Sequence, residues 1–113
     1  MIKLNHQAFN DGLLQFGDIK AVYNAKREKT GETFEAIGSL YFNIMSARES
    51  DYMLASQLGY SIDLKIRTPK RQNIDRSHKV KLRGSEDLYE IKYLDFNETD
   101  NFIHLQKAGV RNG

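Results

Sequence analysis

The chain contains no cysteine, so it can build neither a disulfide framework nor a thiolate metal site. Its stability has to come from packing or assembly, which fits a reducing compartment or a particle that does not rely on bridges. No apolar run approaches the roughly 18 residues a membrane-spanning helix needs. The opening residues, MIKLNHQAFNDG, lack the apolar centre of a secretory signal, so we expect a soluble protein made and used without export. Net charge is only +2, too little for the whole-molecule field to mark a nucleic-acid binder. Proline occurs once, at Pro69, leaving glycine and polar clusters to punctuate the chain.

What is present fits one domain, since 113 residues lie in the size range of a single modest core. Residues 1–16 follow neither a helical nor a strand period and, broken by Asn-Asp-Gly, read as an N-terminal arm with at most one short helix that orders against a partner. From Asp18 to Glu28, Ile19, Ala21, Tyr23 and Ala25 alternate with polar neighbours as in a half-buried strand, and KTGE (29–32) supplies a glycine turn. FEAIGSLYFNIM is a second strand, bent at Gly38 and apolar on both faces, as in a closed or covered sheet. Tyr60, Ile62, Leu64 and Ile66 alternate with Ser61, Asp63, Lys65 and Arg67 in the clearest strand, ended by Pro69.

HKVKLRG is a short strand with Val80 and Leu82 inward. LYEIKYLDF slips phase between Ile91 and Leu94, which predicts a bulge near Tyr93. After a turn at NETDN, FIHLQK is the last strand, and 109–113 form a disordered tail. The expected fold is therefore mainly β: a small single-domain β-barrel or sandwich of five to six short strands over residues 17–108, with one short helix or long loop inserted between the second and third.

The insert, residues 46–59, stands apart from this pattern. Ser46 and Glu49 have the spacing of a capping box, and Gly59 is suited to end a helix. Ala47, Leu54 and Leu58 make only a thin apolar stripe, with Tyr52, Met53 and Ala55 spread around the remainder. Two readings stay open: a mobile element hinged on Gly59, or a helix lying permanently across one barrel end.

Catalytic chemistry has little to build on. His6, His78 and His104 are far apart, none has the spacing of a zinc motif, and we read them as ordinary surface or sheet-face histidines. Neither Ser39 nor Ser85 lies in a nucleophile elbow, no glycine-rich loop is set to cradle phosphate, and Glu98 and Asp100 lack the spacing of a calcium loop. The expectation is a protein that is no enzyme and carries no cofactor or metal.

Charge is more informative. Lys65 to Arg83 holds eight basic residues against one acid, and Glu86 to Asp100 holds six acids against one lysine. We favour pairing across strands, or a positive edge meeting a negative edge on a neighbouring copy, over a phosphate-binding surface. On the second reading Lys65, Arg67, Lys70, Arg71, Arg76, Lys79 and Lys81 would track nucleic acid, with Tyr60, Tyr89 or Tyr93 stacking on bases.

The order of parts then resembles a known family. Ser46 to Gln57, Tyr60 to Arg67, the pair Ile74–Asp75, Lys79 to Gly84 and Tyr89 to Ile91 are similar to the successive motifs of the phage head-tail adaptor proteins, also called head-closure or stopper proteins. The resemblance covers residues 17–108. It implies a small β-barrel that assembles as a twelvefold ring below the portal and its adaptor, retains packaged double-stranded DNA, and offers the tail a docking face. An isolated chain could be monomeric, and the site would be the head-tail interface of a virion built in the host cytoplasm.

In that family the segment between the second and third strands gates the channel. By position this makes Arg48, Glu49, Asp51, Tyr52, Gln57 and Gly59 the candidate gate, with Lys65, Arg67, Lys70, Arg71, Arg76 and Lys79 facing DNA or a neighbouring subunit. The chain departs from the pattern by lacking the second-strand tryptophan, for which Phe34 or Phe42 stands in, and by its longer N-terminal arm. The alternatives are a small β-barrel nucleic-acid-binding module, or another neck or tail-completion protein.

Overall fold

A computed structural model describes residues 11–70 and 74–108. It is mainly β: β1 (Gly12–Tyr23), β2 (Lys29–Met45), one helix α1 (Glu49–Leu58), β3 (Leu64–Pro69), β4 (Lys79–Leu82), β5 (Leu88–Phe96) and β6 (Asp100–Lys107). All neighbours are antiparallel, and the sheet closes as a barrel in the order β1-β2-β3-β6-β5-β4 and back to β1. Closure leaves no edge along the barrel itself.

The core follows the strand period. Leu14 and Phe16 from β1, Leu40 and Phe42 from β2, Ile66, Val80, Ile91, Ile103 and Leu105 point inward with Ile74. Each large apolar side chain so buried contributes about 1.5–3 kcal/mol. The polar pair at one end is internally satisfied, because buried Asn101 donates from Nδ2 to Thr68 Oγ1 across the β3–β6 ladder at 3.2 Å. Val80 is fully buried and Leu82 packs against the core, as their alternation predicts.

Two bulges resolve the breaks in sequence phase. Pairing shifts from Phe16↔Gly38 to Gly17↔Ala36, so Ile37 is the extra residue beside the expected bend at Gly38. On β5 it shifts from Ile91↔Leu105 to Tyr93↔His104, which leaves Lys92 extra and lets both Ile91 and Leu94 face the core.

The first hairpin differs from expectation. β1 begins at Gly12, so residues 12–16, read as part of the arm, belong to the barrel; the rest of that arm (1–10) and the tail (109–113) lie outside the described residues. The reversal sits at 24–28 and not at KTGE, where Lys29, Thr30 and Gly31 already belong to β2. Asn24 is the cause: its Oδ1 accepts from the N–H groups of Lys26 and Glu28, and Arg27 takes the left-handed conformation at φ 65°.

The strands from this turn to the bulge stand clear of the barrel and pair only with each other, as a two-stranded arm. The radius of gyration is accordingly 16.1 Å, against roughly 13 Å for a compact domain of this length.

The insert is helical, but its start is displaced. The N-cap is Arg48 and not Ser46, and it is Asp51, the third helical residue, whose Oδ2 accepts the Arg48 N–H at 2.8 Å. Gly59 ends the helix as expected, at φ 81° with its N–H returned to Ser56 O. No atom crowds a Cβ there, so only the backbone conformation opposes a side chain. Gly59→Ala is therefore expected to cost about 1 kcal/mol, read as a lower urea midpoint at unchanged m. An unchanged midpoint would show that the helix end does not need its left-handed residue.

β3 begins at Leu64 and not at Tyr60, because Tyr60–Asp63 is held by other bonds. Ser61 N–H donates to the Gln106 side chain, and Asp63 accepts the Lys107 N–H.

Candidate functional site

The helix rests on polar side chains from the outer face of the barrel. Ile103 and Leu105 point into the core, so the alternation of β6 turns His104 outward, beside its cross-strand neighbour Lys65. His104 is nevertheless only 2% exposed, because α1, Tyr60 and Tyr93 cover it. Its Nδ1 shares a 2.8 Å hydrogen bond with Tyr60 Oη, its Nε2 lies 3.5 Å from Asp51 Oδ1, and the Tyr93 ring centre is 5.1 Å away. Lys65 Nζ donates to Asp51 Oδ2 at 2.8 Å. One carboxylate thus serves the helix start, a lysine of β3 and a histidine of β6.

The electrostatics follow from this packing. Burial pushes the His104 imidazole below its ordinary value; Asp51 pulls it back up and the Lys65 charge opposes that, so the neutral ring is favoured. Burial alone would raise the Asp51 carboxyl, but the Arg48 N–H, the Lys65 ammonium and His104 outweigh it and hold it below the usual carboxylate range. Burial first, then the neighbouring Tyr93 and Asp51, raise the Tyr60 phenol against the opposing charge of Arg76.

Asp51, His104 and Tyr60 have the order of an acid–base relay, but the chemistry does not fit one. The imidazole is enclosed, the phenol is driven away from ionisation, and the carboxylate is committed to a lysine and a helix cap. These groups make a polar latch that seats a helix. Of the histidines expected on the surface or a sheet face, His104 does lie on the face of β6 but is buried, and His78 stands just before β4, buried against Phe16 with its Nδ1 accepting the Asp75 N–H. His6 lies outside the described residues.

Among the expected gate residues, Arg48, Glu49, Tyr52 and Gln57 are exposed, Asp51 turns inward, and Gly59 is the helix cap. The apolar stripe also differs from expectation. Ala55 is buried, with Ala47 and Leu54 half-buried, whereas Leu58 stands outside with Tyr52 and Met53 at 54–60% exposure. The outward face of α1 is therefore mixed and not purely polar.

The expected basic residues do not gather. In the closed ring β3 and β4 occupy opposite positions, which separates Lys65 and Arg67 from Lys79. Lys65 serves Asp51, Arg67 lies 3.8 Å from Asp100, Lys70 sits over the Phe96 ring, Arg76 is exposed, and Arg71 lies outside the described residues. The acidic block is paired in turn: Lys79 faces Glu90 across the ladder, while Lys81, Lys92 and Lys107 reach Glu86, Glu90 and Asp87. Pairing across strands accounts for part of the two charge blocks, Arg67 with Asp100 and Lys79 with Glu90, while Lys92–Glu90 lies within β5 and Lys81–Glu86 spans a turn; each exposed pair contributes at most about 1 kcal/mol.

Among the described residues no group of three or more histidine, aspartate or glutamate side chains is arranged to hold a metal ion, and no helix is long and apolar enough to cross a membrane. Compared with known proteins, the chain matches no family model and no curated sequence.

Proposed function

We propose that this chain is a structural virion protein of the phage head-tail connector, a ring-forming head-closure component that gates the DNA channel and gives the tail a platform. The observation that carries the reading is the seat of α1. An insert between β2 and β3, the place the family motifs assign to the gate, stands outside the main hydrophobic cluster and is held by a few polar side chains and a thin apolar contact at Ala55. Such contacts exchange with water at small net cost, so a segment seated this way can leave and return without unfolding the barrel. On this reading the role is steric and needs no active site. The partners are further copies of the chain in a twelvefold ring, the portal-adaptor complex, tail proteins and the packaged duplex, at the head-tail interface of the virion.

The test is replacement of residues 49–57 by a Gly-Ser linker in assembling particles. We expect particles that form but lose packaged DNA; normal retention would end the gating role. The nucleic-acid module is the weaker reading, because the basic residues lie on opposite sides of the barrel or are already paired. A titration of labelled duplex across salt should accordingly give weak binding by the free chain. Submicromolar affinity with a steep salt slope would reverse the preference.

A further inference from the structure

The seat of α1 is built like a site for an anion. Lys65, His104 and Tyr93 lie in one row across β3, β6 and β5, and what the first two hold between them is a carboxylate. Asp51 Oδ2 takes the Lys65 ammonium at 2.8 Å, and Asp51 Oδ1 faces His104 Nε2 at 3.5 Å. A carboxylate oxygen at that nitrogen favours the proton on Nε2, so Nδ1 accepts from the Tyr60 hydroxyl and the ring is oriented as a neutral donor. Donors from two strands thus address the two oxygens of one charged group.

That group arrives on a tether. Asp51 belongs to α1, whose one buried residue is Ala55, whereas Lys65, His104, Tyr60 and Tyr93 stay with the barrel. When α1 lifts, Lys65 loses the carboxylate it pairs with, and no second acid replaces it among the described residues. Asp63, the nearest acid along the chain, is committed to the Lys107 N–H, and Asp100 lies against Arg67. Exposed Arg76 adds its charge near Tyr60. The bared pair is a cation beside a neutral donor, a combination suited to the two free oxygens of a phosphodiester.

We propose that the seat of α1 is a covered phosphate site that takes the backbone of duplex DNA when α1 leaves, with Lys65 and His104 receiving phosphate oxygens in place of Asp51. That the phosphate comes from a duplex rests on the gating reading above. Asp51 is then an internal stand-in for the ligand, and the seated helix and the duplex exclude each other. By reciprocity a passing duplex holds its own gate open, and α1 reseats once the phosphates have gone. One lysine and one neutral donor make a weak site, which lets DNA slide while further copies around a ring add their contacts.

The test uses the full chain and a short labelled duplex. Asp51→Ala, which releases α1, should bind it about tenfold tighter than the unaltered chain, still short of submicromolar, with a salt dependence steeper by about one phosphate contact. Glu98→Ala removes the same charge from the exposed β5–β6 turn and should change affinity by less than about twofold. Adding Lys65→Met to Asp51→Ala should abolish the gain. Replacing residues 49–57 by a Gly-Ser linker bares the same seat by another route and should give the same gain, again lost with Lys65→Met. Equal gains from Asp51→Ala and Glu98→Ala, or a gain that survives Lys65→Met, would overturn the site. Inorganic phosphate alone should bind Asp51→Ala far more weakly than the duplex does; equal affinity would assign the seat to free phosphate and overturn the duplex. The two readings fail separately: no gain in duplex binding removes the site and leaves the gate standing, whereas linker particles that retain DNA remove the gate and leave the site.

Discussion

Asp51→Ala is expected to free α1 from the barrel while the six-stranded sheet stays closed. The substitution removes three acceptor roles at once, because the same carboxylate receives the Arg48 N–H and the Lys65 ammonium and faces His104 Nε2. What it leaves behind matters more than what it removes. The Lys65 side chain is only 13% exposed, and a cation stranded there costs about 3 kcal/mol, the lower end for breaking a buried pair because Asp51 itself reaches the surface. That corresponds to about a hundredfold in the local opening equilibrium. Amide exchange of residues 49–58 should speed up by that factor, with the β6 amides of Ile103 and Leu105 unchanged. Adding Lys65→Met should recover part of the loss, since it removes the stranded charge. Unchanged exchange in the single variant would mean that α1 is held by Ala55 and its neighbours and not by the latch.

Acid should loosen the same seat in two steps. His104 is held below its ordinary value of 6.5, so on β6 its ring takes up a proton at higher pH once α1 has left or the chain has unfolded than while α1 is seated over it. Stability from the neutral ring is full above pH 6.5 and falls as pH drops from there toward the lowered value. Asp51 is held below its ordinary 3.8, so its contribution is full above that pH and is lost only as pH falls through its lowered value. His104→Gln should flatten the upper window and leave the lower one.

Much of the fold was legible because strand alternation is local. Val80 and Leu82 inward, the bend at Gly38, the bulge near Tyr93 and the helix stop at Gly59 all follow from neighbours a few residues apart. The hairpin turn was misread because Gly31 looks like a turn residue, whereas the side chain of Asn24 makes the reversal. The helix start was misread for a related reason: Ser46–Glu49 and Arg48–Asp51 compete for one cap, and Asp51 wins because it is also drawn to Lys65 and His104. That attraction joins residues 14 and 53 positions apart and depends on closure of the barrel, so no local pattern carries it. One indirect signal existed. The phase slip in β5 is what turns Tyr93 toward the His104 ring, so a bulge that looked like a flaw in alternation is part of the seat.

Gly17→Ala is expected to damage the protein more generally, because Gly17 is where the arm leaves the barrel. It is buried, it is the last residue of β1 paired with β4, and it begins the shifted register with β2. A Cβ there would fall on the carbonyl oxygen of Glu35 and within 2.8 Å of the Ala36 Cα. Both are backbone atoms of the adjoining strand, so no side-chain rotation relieves the clash and β2 itself has to move. Overpacking of this kind costs about 3 kcal/mol, or about 12 °C in Tm for a chain of this size. Gly31→Ala, on the same strand pair but with open space around its Cβ, should stay within about 0.5 kcal/mol. The difference between the two substitutions isolates the close approach of β1 to β2 from any general effect of losing a glycine. Equal melting temperatures would mean that the strands separate at this point without cost, and the arm would then be no rigid extension of the barrel.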